Sequence, residues 1–170
     1  QLDESIYKVA KLLISCLENR GTIFWCGNGG SSSDSQHLAG ELVGRFVGDR
    51  KPLKSISLTA DSAVMTCITN DYGYEHIYSR QIEGLGSKGD ILVGISTSGN
   101  SHNIVNALDM ANKKGLFTVG LLGKGGGKAA KLAQQSAIIR SNSTGRIQEM
   151  HILIGHILCD LIESGLDLKK

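Results

Sequence analysis

Five short strand-like runs, each separated from the next by a helical pattern, constrain this chain more than any other feature. They are Thr22 to Cys26, Lys54 to Leu58, Ile91 to Ile95, Phe117 to Leu122 and Ala137 to Arg140. Ahead of the first run, Ile6, Val9, Ala10, Leu13 and Leu17 recur at the three-four spacing of an amphipathic helix over Leu2 to Leu17. Further helices are predicted from about Ser31 to Val43, Asp61 to Thr69, Tyr74 to Leu85, Ser101 to Lys113, Lys128 to Ala133 and Thr144 to Ser164. Asn70 to Gly73 reads as a turn, and Arg45 to Leu53, with the only proline, as a polar linker. Strands alternating with helices predict an α/β fold with a doubly wound parallel sheet covered on both faces. At 170 residues the chain is expected to form one domain, 1–170, with a core of useful size.

Two of the strand-to-helix turns carry chemistry. Cys26-Gly27-Asn28-Gly29-Gly30-Ser31-Ser32 follows the first strand, and Gly94-Ile95-Ser96-Thr97-Ser98-Gly99-Asn100-Ser101 follows the third. Such turns aim backbone N–H groups and hydroxyls at one point, where the helix dipole favours an anion. The second offers four hydroxyls around a glycine, more than helix capping needs, which points to phosphate. Neither turn has the spacing of a Walker loop or a dinucleotide fingerprint. Both fall at the carboxyl end of the sheet, where ligands bind in such folds, so together they imply a sugar phosphate. Lys124 and Lys128, in a glycine-rich loop, read as solvated surface.

Charge and composition narrow the class further. Eighteen basic against 16 acidic residues, without a basic block, give no sign of a nucleic-acid surface. No apolar run approaches the ~20 residues that span a bilayer. Cys16, Cys26, Cys67 and Cys159 lack metal-site spacing and read as buried thiols in a reducing cytoplasm. Gln1 in place of methionine gives the expectation that a few native residues precede it.

Three candidate groups remain. His37 and Glu41, four apart on the helix after the first turn, point the same way and suit a metal or an acid/base pair. Gln148, His151 and His156 interrupt an apolar final helix, and Gln148 and His156 are separated by ~12 Å of rise, so sharing one metal requires both to lean inward. Asn70 and Asp71 read either as capping groups or as partners of sugar hydroxyls, while His76 and His102 have no partner pattern.

Taken together, Gly27-Asn28-Gly29-Gly30-Ser31, His37 with Glu41 and Gly44-Arg45-Phe46, Asn70-Asp71, the serine turn, and Arg146-Ile147-Gln148-Glu149 with His156 resemble a SIS (sugar isomerase) domain. Within it they resemble the phosphoheptose isomerase family, over nearly the whole chain. The resemblance implies a flavodoxin-like α-β-α sandwich with a five-stranded sheet, a homotetramer, and an early step in making ADP- or GDP-heptose for bacterial surface glycans. It places phosphate on Ser96, Thr97, Ser98 and Ser101, and the sugar on Asn28, Gly29, Gly30, Glu41, Asn70, Asp71 and Gln148. Glu41 and His156 become the acid/base pair, and His37, Glu41, Gln148 and His156 the ligands of a zinc ion. Some family members carry an acid where Gly145 stands. The alternative is a non-catalytic SIS tetramer that binds a replication initiator protein. That branch lacks the acid at the Glu41 position and has Asn at the His156 position. Apolar faces on both terminal helices imply a subunit contact, through which one site could draw Glu41 and His156 from different subunits.

Overall fold

The structure is a computed structural model that describes residues 2–168. Five parallel strands form one sheet in the order β2-β1-β3-β4-β5. They are β1 (Ile23–Gly27), β2 (Ser55–Ser57), β3 (Ile91–Ser96), β4 (Phe117–Gly123) and β5 (Gln135–Ile139). The inner strands read as unbroken apolar runs because both their faces are covered. Every residue of β1 and β3 is buried, while β2, at one edge, keeps only three residues.

Helices cover both faces. On one, α1 (Leu2–Glu18), α2 (Gly30–Val43) and α7 (Thr144–Gly165) pack on Trp25, Val93, Ile95 and Leu121. On the other, α3 (Ser62–Tyr72), α4 (Ser79–Leu85), α5 (His102–Lys113) and α6 (Ala129–Leu132) pack on Phe24, Cys26, Leu92 and Leu122. Trp25, the largest of these side chains, is fully buried, and its Nε1 donates to Ser55 Oγ at 2.8 Å. Among the described residues no helix is long and apolar enough to cross a membrane.

The strand order reverses between β1 and β3, which puts the ligand crevice of this topology beyond their carboxyl ends. Gly27 pairs with Ile95, so Asn28 and Ser96 leave the sheet side by side. Both glycine-and-hydroxyl turns open at that crevice.

Three details depart from the sequence expectations. The segment Asn70 to Gly73 is not a free turn: α3 runs on to Tyr72, and Gly73, at φ +92°, stops it. The helix expected from Tyr74 begins only at Ser79, because Tyr74–His76 tightens into a 3₁₀ turn that sends Tyr74 back to Asn28. Cys67 is exposed, lying beside the buried Ile68 on α3, whereas Cys16, Cys26 and Cys159 are buried as expected.

Candidate active site

The crevice holds a cavity of about 370 Å³ lined by Asn28, Tyr74, Glu75, Asn100, Ser101, His102 and Asn103. Asn28 and Asn103 exchange their amides, at 2.9 and 2.8 Å, and Tyr74 donates to Asn28 Oδ1 at 3.0 Å. Tyr78 donates its hydroxyl to the Gly27 carbonyl. Burial pushes the Tyr78 phenol far up, so it remains a donor at any working pH. Asn103 is buried on the apolar stripe of α5, one turn ahead of Ala107, and a lone amide on such a stripe was the available sequence signal for it.

The serine turn is held by its own hydroxyls and by the glycine-rich loop. Ser96 Oγ accepts from Gly99 N at 3.0 Å and lies 3.4 Å from Ser101 Oγ, while Ser98 Oγ accepts from Asn100 N at 3.1 Å. Gly99 sits at φ +64°, and a Cβ there would fall 2.0 Å from the Gly126 carbonyl oxygen. The loop around Gly126 therefore supports the turn, while Lys124 and Lys128 extend into solvent. Ser101 starts α5 without a side-chain cap, which keeps the opening of that helix available to an anion. Gly29, at φ +59°, starts α2 in the same uncapped way.

A second group of residues forms between α2 and α7, which run parallel. Gly155 allows the close approach, since a Cβ on it would fall 2.5 Å from Leu38. The next residue, His156, then meets α2. Its Nε2 lies 3.0 Å from His37 Nε2, and His37 Nε2 lies 2.9 Å from Glu41 Oε1. One ligand atom from each of the three residues falls within 4.8 Å of the others. One chain thus brings Glu41 and His156 together. Phe46 covers the outer side of His156, with ring centroids 5.5 Å apart.

This cluster suits a metal. Two imidazoles and a carboxylate are a common zinc donor set, and tetrahedral ligands ~2.0–2.1 Å from zinc stand about 3.3 Å apart, close to the spacings seen here. Gln148, the fourth expected ligand, lies against the start of α2, where a Cβ on Gly30 would fall 2.7 Å from its Nε2. Asp34, not anticipated from sequence, lies on the same face of α2, and its Oδ2 is buried without a hydrogen bond. Burial pushes the Asp34 carboxyl up, against the opposing pull of His37 and His156.

Asn70 and Asp71 are exposed at the end of α3, where Asn70 Nδ2 donates to Asp71 Oδ1 at 2.7 Å. His102 lines the cavity although it has no sequence partner. A side chain at Gly145 would meet nothing within 4 Å, so that position is open.

The profile of the family described as SIS domain matches residues 1–123. A phosphoheptose isomerase from Nitratiruptor sp. is 51% identical over 160 residues, which cover 94% of this chain and 86% of that protein. One from Helicobacter pylori strain P12 is 52% identical over 162 residues, covering 95% and 84%. Among solved structures, a phosphoheptose isomerase from Neisseria gonorrhoeae superposes with TM-score 0.90 at 42% identity, covering 95% of this chain and 86% of that one.

Proposed function

This chain belongs to the phosphoheptose isomerase family of SIS domains, and from that premise we propose that it converts sedoheptulose 7-phosphate to D-glycero-D-manno-heptose 7-phosphate through an enediol. The observation that carries this reading is the convergence of Glu41, His37 and His156 in one chain, on the same helix α2 whose first turn opens at the crevice. Phosphate is bound by Ser96, Thr97, Ser98 and Ser101 together with the first N–H groups of α5. Asn28, Gly29 and Gly30 approach the sugar with backbone and amide, and Gln148, lying over Gly30, reaches the same ligand. Asn70 and Asp71 approach it from α3.

Isomerisation moves one proton between neighbouring carbons and exchanges a carbonyl for a hydroxyl. Glu41 takes the proton from the carbon beside the carbonyl, and His156 donates to the carbonyl oxygen, which gives the enediol. Glu41 then returns the proton to the neighbouring carbon as the second carbonyl forms, and the hydroxyl proton released there restores His156. His37 lies within hydrogen-bond distance of both groups and keeps them in register. His37, Glu41 and His156 would hold zinc, which supplies polarisation of the carbonyl when bound.

The chain is further proposed to assemble as a homotetramer in a reducing cytoplasm, serving the first step of heptose-nucleotide synthesis for surface glycans. Leu153 and Ile157, exposed on α7 at either side of His156, support the assembly. Free thiols at Cys16, Cys26, Cys67 and Cys159 support the compartment. The alternative of a non-catalytic partner of a replication initiator draws no support from these relatives.

The test is conversion of sedoheptulose 7-phosphate in heavy water, followed by NMR. Deuterium should enter at carbon 2 of the aldose product. Neither aldose nor exchange at carbon 1 of the ketose, with folded protein supplied with zinc, would remove the isomerase reading.

A further inference from the structure

Outside the cluster, a buried ion pair holds the backbone of one of its residues, Glu41, and the backbone of Phe46, whose ring packs on a second, His156. Glu163, near the end of α7, is fully buried, and both carboxylate oxygens are engaged. Oε1 accepts from Phe46 N at 3.0 Å and Arg50 Nε at 2.7 Å, while Oε2 accepts from Val47 N at 3.1 Å and Gly48 N at 3.2 Å. Burial works to raise its pKa, but the N–H groups of Gly48, Phe46 and Val47 with Arg50 pull it down to about 2.

The Arg50 side chain, 1% exposed, turns its remaining donors on the end of α2. It donates to the Glu41 carbonyl at 2.8 Å, the Leu42 carbonyl at 2.9 Å and the Lys51 carbonyl at 3.1 Å. The last carbonyls of a helix lack partners within it, and a cation beside them also meets the negative end of the helix dipole. Arg50 therefore holds the backbone of the residue that carries the candidate base. Glu163 holds the backbone of Phe46, whose ring packs on His156.

Stability alone is a weak reason for such a pair. Apolar residues of similar volume in place of a buried ion pair often leave stability unchanged or raised. Geometry is a better one, because a planar guanidinium can link one carboxylate to several carbonyls at fixed angles, which neither Lys nor an apolar side chain does. We propose that the Arg50–Glu163 pair is a positioning device for the acid/base cluster, fixing the last turn of α2 under Glu41 and the Phe46 ring against His156. This inference rests on the isomerase reading for its kinetic consequence, and on the cluster alone for its metal-binding one.

The experiment compares wild type with Glu163→Gln, Arg50→Lys and the double variant Arg50→Met/Glu163→Leu. Melting temperature, kcat, KM and competition by inorganic phosphate are measured, together with titration of the metal-free proteins by cobalt(II) alone, read from the cobalt absorption spectrum. A single change leaves a buried charge short of its partner, so both single variants should melt lower. The double variant should recover the melting temperature while kcat stays down by about 10–100-fold, with KM and phosphate competition within about twofold. Its cobalt affinity should fall by about 10-fold or more, with an altered spectrum.

Recovery of wild-type kcat along with the melting temperature, or an unchanged cobalt titration, would overturn the proposal and leave the pair a fastener. If the double variant fails to fold, Arg50→Lys decides: it keeps the charge beside Glu163 but cannot span both α2 carbonyls, and undiminished kcat in it would equally overturn the proposal. A wild-type protein without isomerase activity would strike the functional reading instead, and the cobalt titration would still judge the positioning role.

Discussion

His151 offers a measurement in which a single buried group sets a slope. It lies on α7 with 0% of its surface exposed, and neither ring nitrogen makes a hydrogen bond among the described residues. Burial lowers its pKa from the ordinary 6.5, and the nearby Leu122 carbonyl, too poorly placed for a regular hydrogen bond, only partly opposes that. The folded protein therefore keeps this ring neutral where the unfolded chain protonates it. Above pH ~6.5 both states are neutral at this site and it contributes nothing. Below, the unfolded state binds a proton that the folded state refuses, so stability falls as pH falls. At pH 5.5 an unfolded histidine is protonated about tenfold over neutral, which favours unfolding by up to about 1.4 kcal/mol. That is a large share of a typical net stability of ~5–15 kcal/mol. Urea unfolding of wild type and His151→Leu, at pH 7.5, 6.5 and 5.5 and one chain concentration, isolates the effect. Every other titrating group is common to both chains and cancels in the difference. At pH 7.5 the variant should be no less stable, because it removes two unsatisfied polar atoms. By pH 5.5 wild type should have lost stability relative to it, by at most about 1.4 kcal/mol. A difference between the two chains that stays constant from pH 7.5 to 5.5 would refute the reasoning.

Four further outcomes are expected. Glu41→Gln should lower kcat about 10²–10⁴-fold while inorganic phosphate still binds, and more than about a third of wild-type turnover would remove Glu41 as the base. Because one chain supplies both Glu41 and His156, co-refolding Glu41→Gln with His156→Ala chains should restore no activity, and restored activity would show that subunits share the pair. Ser96→Ala or Ser98→Ala should act on KM more than kcat, by about 1–3 kcal/mol of charged hydrogen bonding, and an unchanged KM in both would dismiss the serine turn as anchor. Gly99→Ala forces both a left-handed φ of +64° and a 2.0 Å approach to the Gly126 oxygen, so phosphate competition should weaken severely, and a wild-type inhibition constant would show that the loop yields without consequence.

How far the sequence could be read followed from how local each feature is. Strands β1 and β3 were legible because burial on both faces makes them continuous apolar runs, and their following turns carry glycine and hydroxyls within eight residues. His37 and Glu41 were legible as a helical pair. His156 could be placed beside them only once α2 and α7 were packed, and that packing depends on Gly155 against Leu38, more than a hundred residues apart. The same distance hid the Arg50–Glu163 pair: Arg50 falls in a segment read as a polar linker, more than a hundred residues from Glu163. The helix expected from Tyr74 failed for a tertiary reason, since reaching Asn28 and burying Ile77 and Tyr78 bends the segment before α4 begins.

The two functional groups use different physics, and α2 joins them. At its first residue, as in the neighbouring serine turn, backbone N–H groups and small residues make an opening that tolerates no added side chain, as Gly30 against Gln148 and Gly99 against Gly126 show. Eleven residues on, about 16 Å of helix rise away, Glu41 and its two histidines form a cluster that needs side-chain reach rather than backbone access. The His37 side chain is 48% exposed, and Leu153 and Ile157 stand uncovered on the neighbouring helix. A second copy seated on that face would bury the apolar pair and dry the cluster in the same step, which strengthens every charge interaction inside it. Assembly and acid/base chemistry would then depend on one surface of α7.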